Sequence, residues 1–379
     1  MPRACLSAPR APWAARLPAA PALVLSLALA LGLGATTRAA AAEANPRVGA
    51  RAAAAESAVW SSAEACRDAV ERGQARMARA RPGELRLGAW NVEWFPDHTD
   101  IGWLACTIAW MNLDLLALEE IRATPAAQAG MARLLAELGR LTGDTWRVDL
   151  QNCGGAGRQH VGFIWNATRL RLVEGEDAWA LNARASGPDD PCAGWLRPGR
   201  ADAFAPRDGT SAPFRAVAVH LKSGVAPRDE SERHVALSRL GSLVAETPGA
   251  RLVVLGDFNS MGEGTVSSAR AEIASLDALA AATEPGFARA RPNPSCTEYY
   301  RGRGGALDQA LVSRSMGSID PAATRVTGYC ALAQCRPISP WRLDARPAAY
   351  RALSDHCPLV IGIVPAARAR AAEAAPEAP

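Results

Sequence analysis

The sequence predicts an α/β protein in which layers of β-sheet are covered by helices. From residue 84 onward, short apolar runs alternate with turn residues, a pattern typical of buried strands. Two longer segments between these runs carry apolar residues at helical spacing. Because strands and helices alternate, the helices are expected to pack on the faces of the sheets. The 379 residues, of which 49% are hydrophobic and 21% charged, are enough for a sizeable core and one or two domains.

The elements can be placed along the chain from their patterns. Strands are expected at residues 85–90, 113–119, 161–165, 214–220, 252–256, 308–313 and 358–364. Helices are expected at residues 126–141 and 230–246, and Ser231 is expected to cap the second helix. The segment 183–212 is rich in Gly, Pro and Asp and is expected to form a long surface loop.

The two ends of the chain differ in composition from its centre. Residues 1–42 indicate a signal peptide, because arginines precede the apolar stretch ALVLSLALALGLGA and small residues follow it. The alternative is a membrane anchor, although a spanning helix needs about 20 apolar residues. Residues 43–83 are expected to be an Ala/Arg-rich leader, helical or loosely held, 84–365 the main domain, and 366–379 a disordered tail. A cleaved signal predicts a secreted or periplasmic protein with no stable membrane insertion.

The net charge depends on the signal segment. The full sequence has a formal charge of +4, but residues 1–42 contain four arginines and no acid, so the remaining chain is neutral. Overall charge therefore does not indicate a nucleic-acid partner, and any attraction to phosphate must be local.

The cysteines indicate disulfides. Of the nine cysteines, eight remain once the signal is removed, and an even number in an exported protein is typical of disulfide bonding. Cys330 with Cys335 is the first expected pair, because CALAQC could close a small loop, and Cys153 with Cys192 is the second. Cys357 lies in an apolar segment and is expected either to be bridged or to be a small buried hydrophobe.

Polar residues with metal-binding and acid–base chemistry follow the expected strands. Loops at strand ends are where a rigid scaffold displays functional side chains. The residues concerned are Asn91, Glu93, Glu120, His220, Asp257, Asn259, Asp308, Asp355 and His356. Carboxylate and amide oxygens without a Cys/His cluster suit Mg²⁺, with Mn²⁺ or Ca²⁺ as alternatives, rather than Zn²⁺. Hydrolysis of a phosphate ester by water is the reaction class that such a cation supports.

Six motifs resemble the successive motifs of the endonuclease/exonuclease/phosphatase superfamily, and they occur in that superfamily's order. They are GAWNVEWF (88–95), LDLLALEEI (113–121), VAVHLKSG (217–224), VVLGDFNS (253–260), GALDQALVS (305–313) and LSDHCPLVI (353–361). The resemblance implies the DNase I-like fold, a four-layer α/β sandwich of two packed mixed β-sheets flanked by helices. It also implies a metal-binding cleft along one edge of the sandwich.

The resemblance assigns one set of residues to the metal. Glu120 is expected to be the principal metal carboxylate, and Asn91 beside it to position the metal or the phosphate. Glu93 and Asp355 are expected to lie near the metal.

It assigns a second set to catalysis. Asp257 is expected to orient or deprotonate the attacking water, and Asn259 to donate to the phosphate and hold the cleft together. His356 is expected to contact the phosphate and transfer a proton, with Asp308 accepting from its other ring nitrogen. His220 is expected to stabilise or protonate the leaving group.

Further residues near the motifs have two interpretations each. Gln159 is expected to hydrogen-bond His220, where DNase I itself uses Glu. Lys222 is the only lysine, and its ammonium group either lies near phosphate or has no special role. Arginines that either bind phosphate or are solvated are Arg122, Arg158, Arg301 and Arg303. Aromatic residues that either stack on bases or pack in the core are Trp94, Phe95 and Trp103.

The first functional hypothesis is an exported, metal-dependent phosphodiesterase, a monomeric nuclease that hydrolyses DNA or RNA. One alternative is activity on other phosphoesters, as in sphingomyelinases and other phospholipase C-like enzymes or inositol and sugar phosphatases. The other alternative is a binding module without catalysis, which the intact set of acids, amides and histidines argues against.

Overall fold

The computed structural model describes residues 46–73, 75–151, 158–209, 211–240, 250–261, 266–282, 286–339 and 346–366. The helices are α1 (Pro46–Val59), α2 (Ala63–Arg67, continued by a π-helical turn over Asp68–Arg72), α3 (Ile101–Met111), α4 (Pro125–Thr142), α5 (Pro227–Ser238), α6 (Val266–Ala282), α7 (Tyr329–Ala333) and α8 (Ala348–Ala352). The strands are β1 (Leu85–Phe95), β2 (Leu115–Arg122), β3 (Trp146–Leu150), β4 (Gln159–Asn166), β5 (Leu170–Asp177), β6 (Arg200–Pro206), β7 (Phe214–His220), β8 (Leu252–Asp257), β9 (Phe287–Arg289), β10 (Glu298–Tyr300), β11 (Arg303–Gly305), β12 (Asp308–Ser313), β13 (Gly317–Val326) and β14 (Leu359–Pro365).

The strands form two mixed six-stranded sheets and a small hairpin. The first sheet has the order β13-β14-β1-β2-β4-β3, and the second has the order β5-β6-β7-β8-β12-β9. Each sheet has one parallel pair at its centre, β1 with β2 and β7 with β8, and the other neighbouring strands are antiparallel. Strands β10 and β11 pair as a separate two-stranded ribbon.

Side-chain alternation along the central strands places one layer of core on each face of the second sheet. On β8, Val253 and Leu255 pack into the core shared with the first sheet. Leu252 and Val254 point the other way and pack with α5 and α6. A strand buried on both faces reads as a continuous apolar run, which is why this strand was predictable from its sequence.

Helices complete the outer layers. Leu104 and Ile108 of α3 and Leu134 of α4 belong to the core cluster that includes the strands of the first sheet. With α5 and α6 against the second sheet, the order of layers is helix, sheet, sheet, helix. The predicted four-layer α/β sandwich is therefore confirmed.

The segment predicted to be a leader packs on the sandwich. Cys66 is bonded to Cys106 of α3. The ring of Trp60 packs edge-on against Trp90 and Trp110, at centroid distances of 5.8 and 6.3 Å, and its Nε1 donates to Thr327 at 3.2 Å. The compact unit therefore includes the chain from Pro46 onward, and the segment is held by a covalent bond as well as by packing.

Two local expectations are corrected by the structure. Helix α5 begins at Pro227, so Ser231 lies within the helix and does not cap it. Proline is favoured in the first turn of a helix, where no intrahelical N–H donor is needed, and the side chain of Asp229 accepts the Ala226 N–H at 3.3 Å. The segment 183–212 is not one loop, because it contains strand β6.

The two cysteines of the first expected pair are each bonded to a different partner. Cys330 is bonded to Cys357 and Cys335 to Cys296, so a Cys330–Cys335 bond is excluded. Helix α7 ends at Ala333. Its C-cap residue Gln334 is in the left-handed conformation and Cys335 follows with φ 54°, which turns the chain toward the β10–β11 ribbon. The expected Cys153–Cys192 pair includes a residue outside the described part of the chain.

The predicted signal peptide and most of the predicted C-terminal tail also lie outside the described residues. Within the described ranges, no helix is both long and apolar enough to cross a bilayer.

Candidate active site

Strand pairing in the second sheet brings three predicted residues into one row. His220 at the end of β7 is the parallel partner of Asp257 on β8, and Asp308 at the start of β12 is its antiparallel partner. All three side chains are buried. Because paired residues on neighbouring strands lie side by side, the register alone places a carboxylate between an imidazole and a second carboxylate.

In the first sheet, an irregularity in pairing aims the acids at the cleft. The register of β1 with β2 shifts after Asn91, which pairs with Glu119. Glu120 and Glu93 have positive φ values of 64° and 40°, as expected where a bulge turns the strand. Glu120 is then held by two donors: the Trp94 N–H at 3.1 Å and Asn91 Nδ2 at 3.2 Å.

Glu119 points away from Glu120, as strand alternation predicts. Its side chain is buried between the sheets, and a Cβ on Gly256 would come within 2.7 Å of its Oε1. Gly256 has φ 137°, a conformation that also favours glycine. This packing gives a physical reason for the glycine that precedes Asp257 in the motif.

One carboxylate oxygen joins the two sheets. Asp257 Oδ2 accepts from Asn91 Nδ2 at 3.2 Å, and it lies 3.4 Å from His220 Nε2 and 4.0 Å from His356 Nε2. Glu120 Oε1 is 3.9 Å from His220 Nε2. The residues predicted from separate motifs therefore converge on one small volume.

His356 is fixed from several directions. Its Nδ1 is 2.9 Å from Asp308 Oδ2, which leaves Nε2 facing Asp257. Its backbone N–H donates to Ser354 Oγ at 2.9 Å, and its carbonyl accepts from Trp90 Nε1 at 3.1 Å. The next residue, Cys357, forms the disulfide with Cys330. The ring is therefore positioned before any substrate binds.

The electrostatic environment shifts the pKa values of the two histidines in opposite directions. Burial opposes the charged form of His356, but the carboxylates of Asp308, Asp257 and Asp355 outweigh it and raise its pKa well above the ordinary value. Burial and the neighbouring charge of Arg197 lower the pKa of His220 well below it. His356 is thus suited to hold a proton and His220 to remain neutral.

Several acids share the cleft and repel one another. Burial and then the charge of Asp355 raise the pKa of Glu93 to about 7. Burial raises the pKa of Asp257 and Asp355 as well. Glu93 Oε2 accepts the Asp355 N–H at 3.1 Å, so both acids lie on the same side of the cleft.

Two residues of the cleft were not predicted from the sequence. Arg197 donates to the carbonyls of His220 at 3.1 Å and Leu221 at 3.3 Å. The backbone of Glu298 pairs with that of His356 in an isolated antiparallel β-bridge. Burial raises the pKa of Glu298 to about 8. Both belong to segments without a motif, so no local signal distinguished them from surface charges.

Gln159, Lys222 and Asn259 each make a defined contact beside the cleft. Gln159 Oε1 accepts from Arg197 Nη1 at 2.7 Å, and this bond replaces the one expected with His220. Lys222 forms an ion pair with Asp229 at 2.9 Å, which engages its ammonium group at the start of α5. Asn259 donates from Nδ2 to the Leu221 carbonyl at 3.1 Å, consistent with holding the cleft together.

The donor set suits a hard cation with few protein ligands. Within the described ranges, no three or more His, Cys, Asp or Glu side chains converge as a preformed cage for an ion. Mg²⁺ does not need such a cage, because it keeps several waters and binds through one or two carboxylates and the substrate phosphate. Glu120 and Asn91 supply such oxygens, and a cation there would counter the burial and the like charges that raise the pKa of Glu93.

Solved structures of other proteins share this fold. Humanized D. rerio TDP2 matches with a TM-score of 0.51 and 14% sequence identity, over 75% of this chain and 100% of that chain. D. rerio TDP2 complexed with a single-strand DNA product matches with a TM-score of 0.51 and 15% identity, over the same shares of the two chains. These likenesses confirm the DNase I-like fold predicted from the motifs. No protein-family model matches the sequence, and no curated protein sequence matches it.

Proposed function

We propose that the protein is a metal-dependent phosphodiesterase, exported from the cell, and that its substrate is nucleic acid. The observation that carries this proposal is the single oxygen Asp257 Oδ2, which faces ring nitrogens of both His220 and His356. This arrangement provides a base for water and, beside it, donors for the oxygens of a phosphate. The D. rerio TDP2 structure with a single-strand DNA product supports nucleic acid as the substrate class.

The residues divide the work of an in-line displacement. Asp257 orients the attacking water and accepts its proton, because burial raises the pKa of this carboxyl and makes it a better base. His356, kept protonated by Asp308 and the other acids, donates from Nε2 to a phosphate oxygen. Neutral His220 donates a hydrogen bond from Nε2 to the leaving oxygen, while Arg197 holds its backbone.

The metal would be held by Glu120 and Asn91, with Glu93 and Asp355 nearby. When bound, Mg²⁺ would neutralise charge on the phosphate. The remaining chemistry, which comprises binding, orientation and proton transfer, is assigned to the side chains described above.

Nicking of supercoiled plasmid by the purified protein tests the proposal. We expect nicking with Mg²⁺, its loss with a chelator, and recovery when Mg²⁺ is added back. Glu120→Gln is expected to lower turnover by about 10²–10³-fold, because several kcal/mol of charge stabilisation depend on the metal. Glu137→Gln is the control, since this acid lies on α4 and pairs with Arg140, away from the residues of the cleft, and the variant is expected to leave turnover unchanged.

Other results would redirect the assignment. Nicking that persists in the presence of chelator would contradict the proposed metal dependence. Hydrolysis of a small diester or a phospholipid, without cleavage of DNA or RNA, would favour the lipid or small-molecule alternatives. No hydrolysis of any phosphoester would favour a binding module.

A further inference from the structure

Three large aromatic side chains are exposed at the edge of the cleft, and together they are called the aromatic rim: Trp94, Trp195 and Tyr300, with exposed fractions of 43%, 76% and 64%. In the part of the chain that the structure describes, every other Trp, Tyr and Phe is buried or half-buried. Exposed aromatic surface concentrated around one opening is typical of a binding site.

Backbone contacts tie two rim residues directly to the cleft. The N–H of Trp94 donates to Glu120. Tyr300 follows Tyr299, whose N–H donates to the Asp355 carbonyl at 3.0 Å. Because Asp355 is adjacent to His356, Trp94 and Tyr300 flank the residues assigned to metal and phosphate.

Trp195 reaches the same opening through its neighbours. Two residues after it, Arg197 donates to the carbonyl of His220. The ring of Trp195 stacks against Arg158, whose carbonyl accepts the N–H of Ala123 at 2.9 Å. Ala123 follows Arg122, which contacts Trp94, so Trp195 and Trp94 are linked along one side of the cleft.

Each rim residue carries an arginine on its ring. The distances from guanidinium carbon to ring centroid are 5.4 Å for Arg122 and Trp94, 3.4 Å for Arg158 and Trp195, and 5.2 Å for Arg301 and Tyr300. Arg122 is paired with Asp97. Within the described ranges, neither Arg158 nor Arg301 forms an ion pair with a carboxylate, so the charges of these two are available to a ligand. A flat ring next to a free cation matches a base next to its phosphate.

The backbone is in an uncommon conformation at two rim residues and at the arginine that follows the third. Trp94, Trp195 and Arg301 have φ values of 53°, 67° and 50°, in the left-handed region that bulky residues rarely adopt. Such strain persists where the surrounding structure fixes it, and it concentrates at functional sites.

We propose that the aromatic rim binds single-stranded nucleic acid, stacking on unpaired bases while Arg158 and Arg301 contact neighbouring phosphates. This inference rests on the proposed function, because it specifies the substrate of the same cleft. A duplex buries the faces of its bases, so the rim favours unpaired strands. Aromatic rings with arginines also occur where proteins bind anionic lipid surfaces, so vesicles of anionic phospholipid are the competing ligand in the test.

Equilibrium binding tests the inference without requiring turnover. The probe is a fluorescent single-stranded oligonucleotide of about ten nucleotides, titrated in the presence of chelator. Trp195→Ala and Tyr300→Ala are each expected to weaken binding by about 5- to 100-fold, since each removes one stacking platform. Trp195→Phe and Tyr300→Phe should retain most of the affinity. Arg158→Gln should weaken binding and reduce its dependence on salt.

Val173→Ala is the matched control. Val173 is half exposed and lies on β5, the edge strand two positions from β7 in the second sheet. Its removal should leave binding unchanged. Unaltered affinity in both Trp195→Ala and Tyr300→Ala would overturn the inference, and so would a protein that binds anionic phospholipid vesicles but not the oligonucleotide.

Kinetics separate this inference from the proposed function. With Mg²⁺, both alanine variants should raise KM for the oligonucleotide and leave hydrolysis of bis(p-nitrophenyl) phosphate unchanged, because that small diester does not reach the rim. A wild-type protein that binds the oligonucleotide through the rim but cleaves no phosphoester would contradict the proposed function alone. If the wild-type protein cleaves the small diester, but the rim variants act on the oligonucleotide as the wild type does, only the inference about the rim is contradicted.

Discussion

The floor and the rim of the cleft are built in opposite ways. The floor consists of buried side chains at strand ends, where the pairing of β7, β8 and β12 sets their positions. The rim consists of exposed rings in connecting segments, each with an arginine beside it. Under the proposed function, this difference assigns the reacting phosphate to the floor and the rest of the substrate to the rim. Changes in the floor should affect every substrate, and changes in the rim only some.

The largest expected effect comes from the floor. His356→Ala and Asp257→Ala should each lower turnover by about 10²–10⁴-fold, the usual contribution of one general acid or base. The loss should be similar for plasmid and for bis(p-nitrophenyl) phosphate, in contrast to the rim variants. Initial rates on both substrates measure it, and circular dichroism of each variant checks that the fold is intact. Turnover close to wild type in either variant would remove that residue from the mechanism.

Two of the disulfides lie at different distances from the cleft, so their removal separates effects on stability from effects on turnover. Replacing Cys66 and Cys106 by serine should lower the free energy of unfolding by about 2–5 kcal/mol and leave turnover intact. Replacing Cys330 and Cys357 should cost a similar amount and also reduce turnover, since Cys357 is adjacent to His356. Guanidinium unfolding and plasmid nicking measure the two quantities. Equal turnover in both double variants would show that His356 does not depend on the disulfide beside it.

The smallest expected effect is a pH dependence of stability at Glu119. Burial, followed by the charges of Asp308 and Asp257, raises the pKa of this carboxyl well above its ordinary value in the folded state. The folded protein therefore binds a proton that the unfolded chain releases above about pH 4.5. Stability from this group is complete below that pH and declines as pH rises toward the folded pKa.

Glu119→Gln should remove this decline. Relative to wild type, the variant should gain up to about 1.4 kcal/mol for each pH unit in the window above pH 4.5. Unfolding curves at several pH values, in the presence of chelator, measure the difference. A constant offset between the two proteins across this range would mean that Glu119 titrates normally.

The sequence by itself determined those elements whose formation depends on residues close together in the chain. The apolar run 252–256 predicted a buried strand, and Asp257 directly after it was therefore expected at the end of that strand. The resemblance of the six motifs to those of the superfamily was enough to predict the sandwich. Helix α3 was missed because nearly all of its residues are buried, so it shows no amphipathic period.

Contacts between distant residues were decided only when the chain folded. Nothing in CALAQC distinguishes a bond between Cys330 and Cys335 from the bonds that each makes elsewhere, because a disulfide depends on where its partners lie in space. Arg197 and Glu298 reach the cleft from segments without a motif. Trp195 belongs to the aromatic rim only because its ring stacks against Arg158 and because Arg197, two residues further on, donates to the carbonyl of His220. Periodicity reports which face of an element is buried, but not which other element covers it.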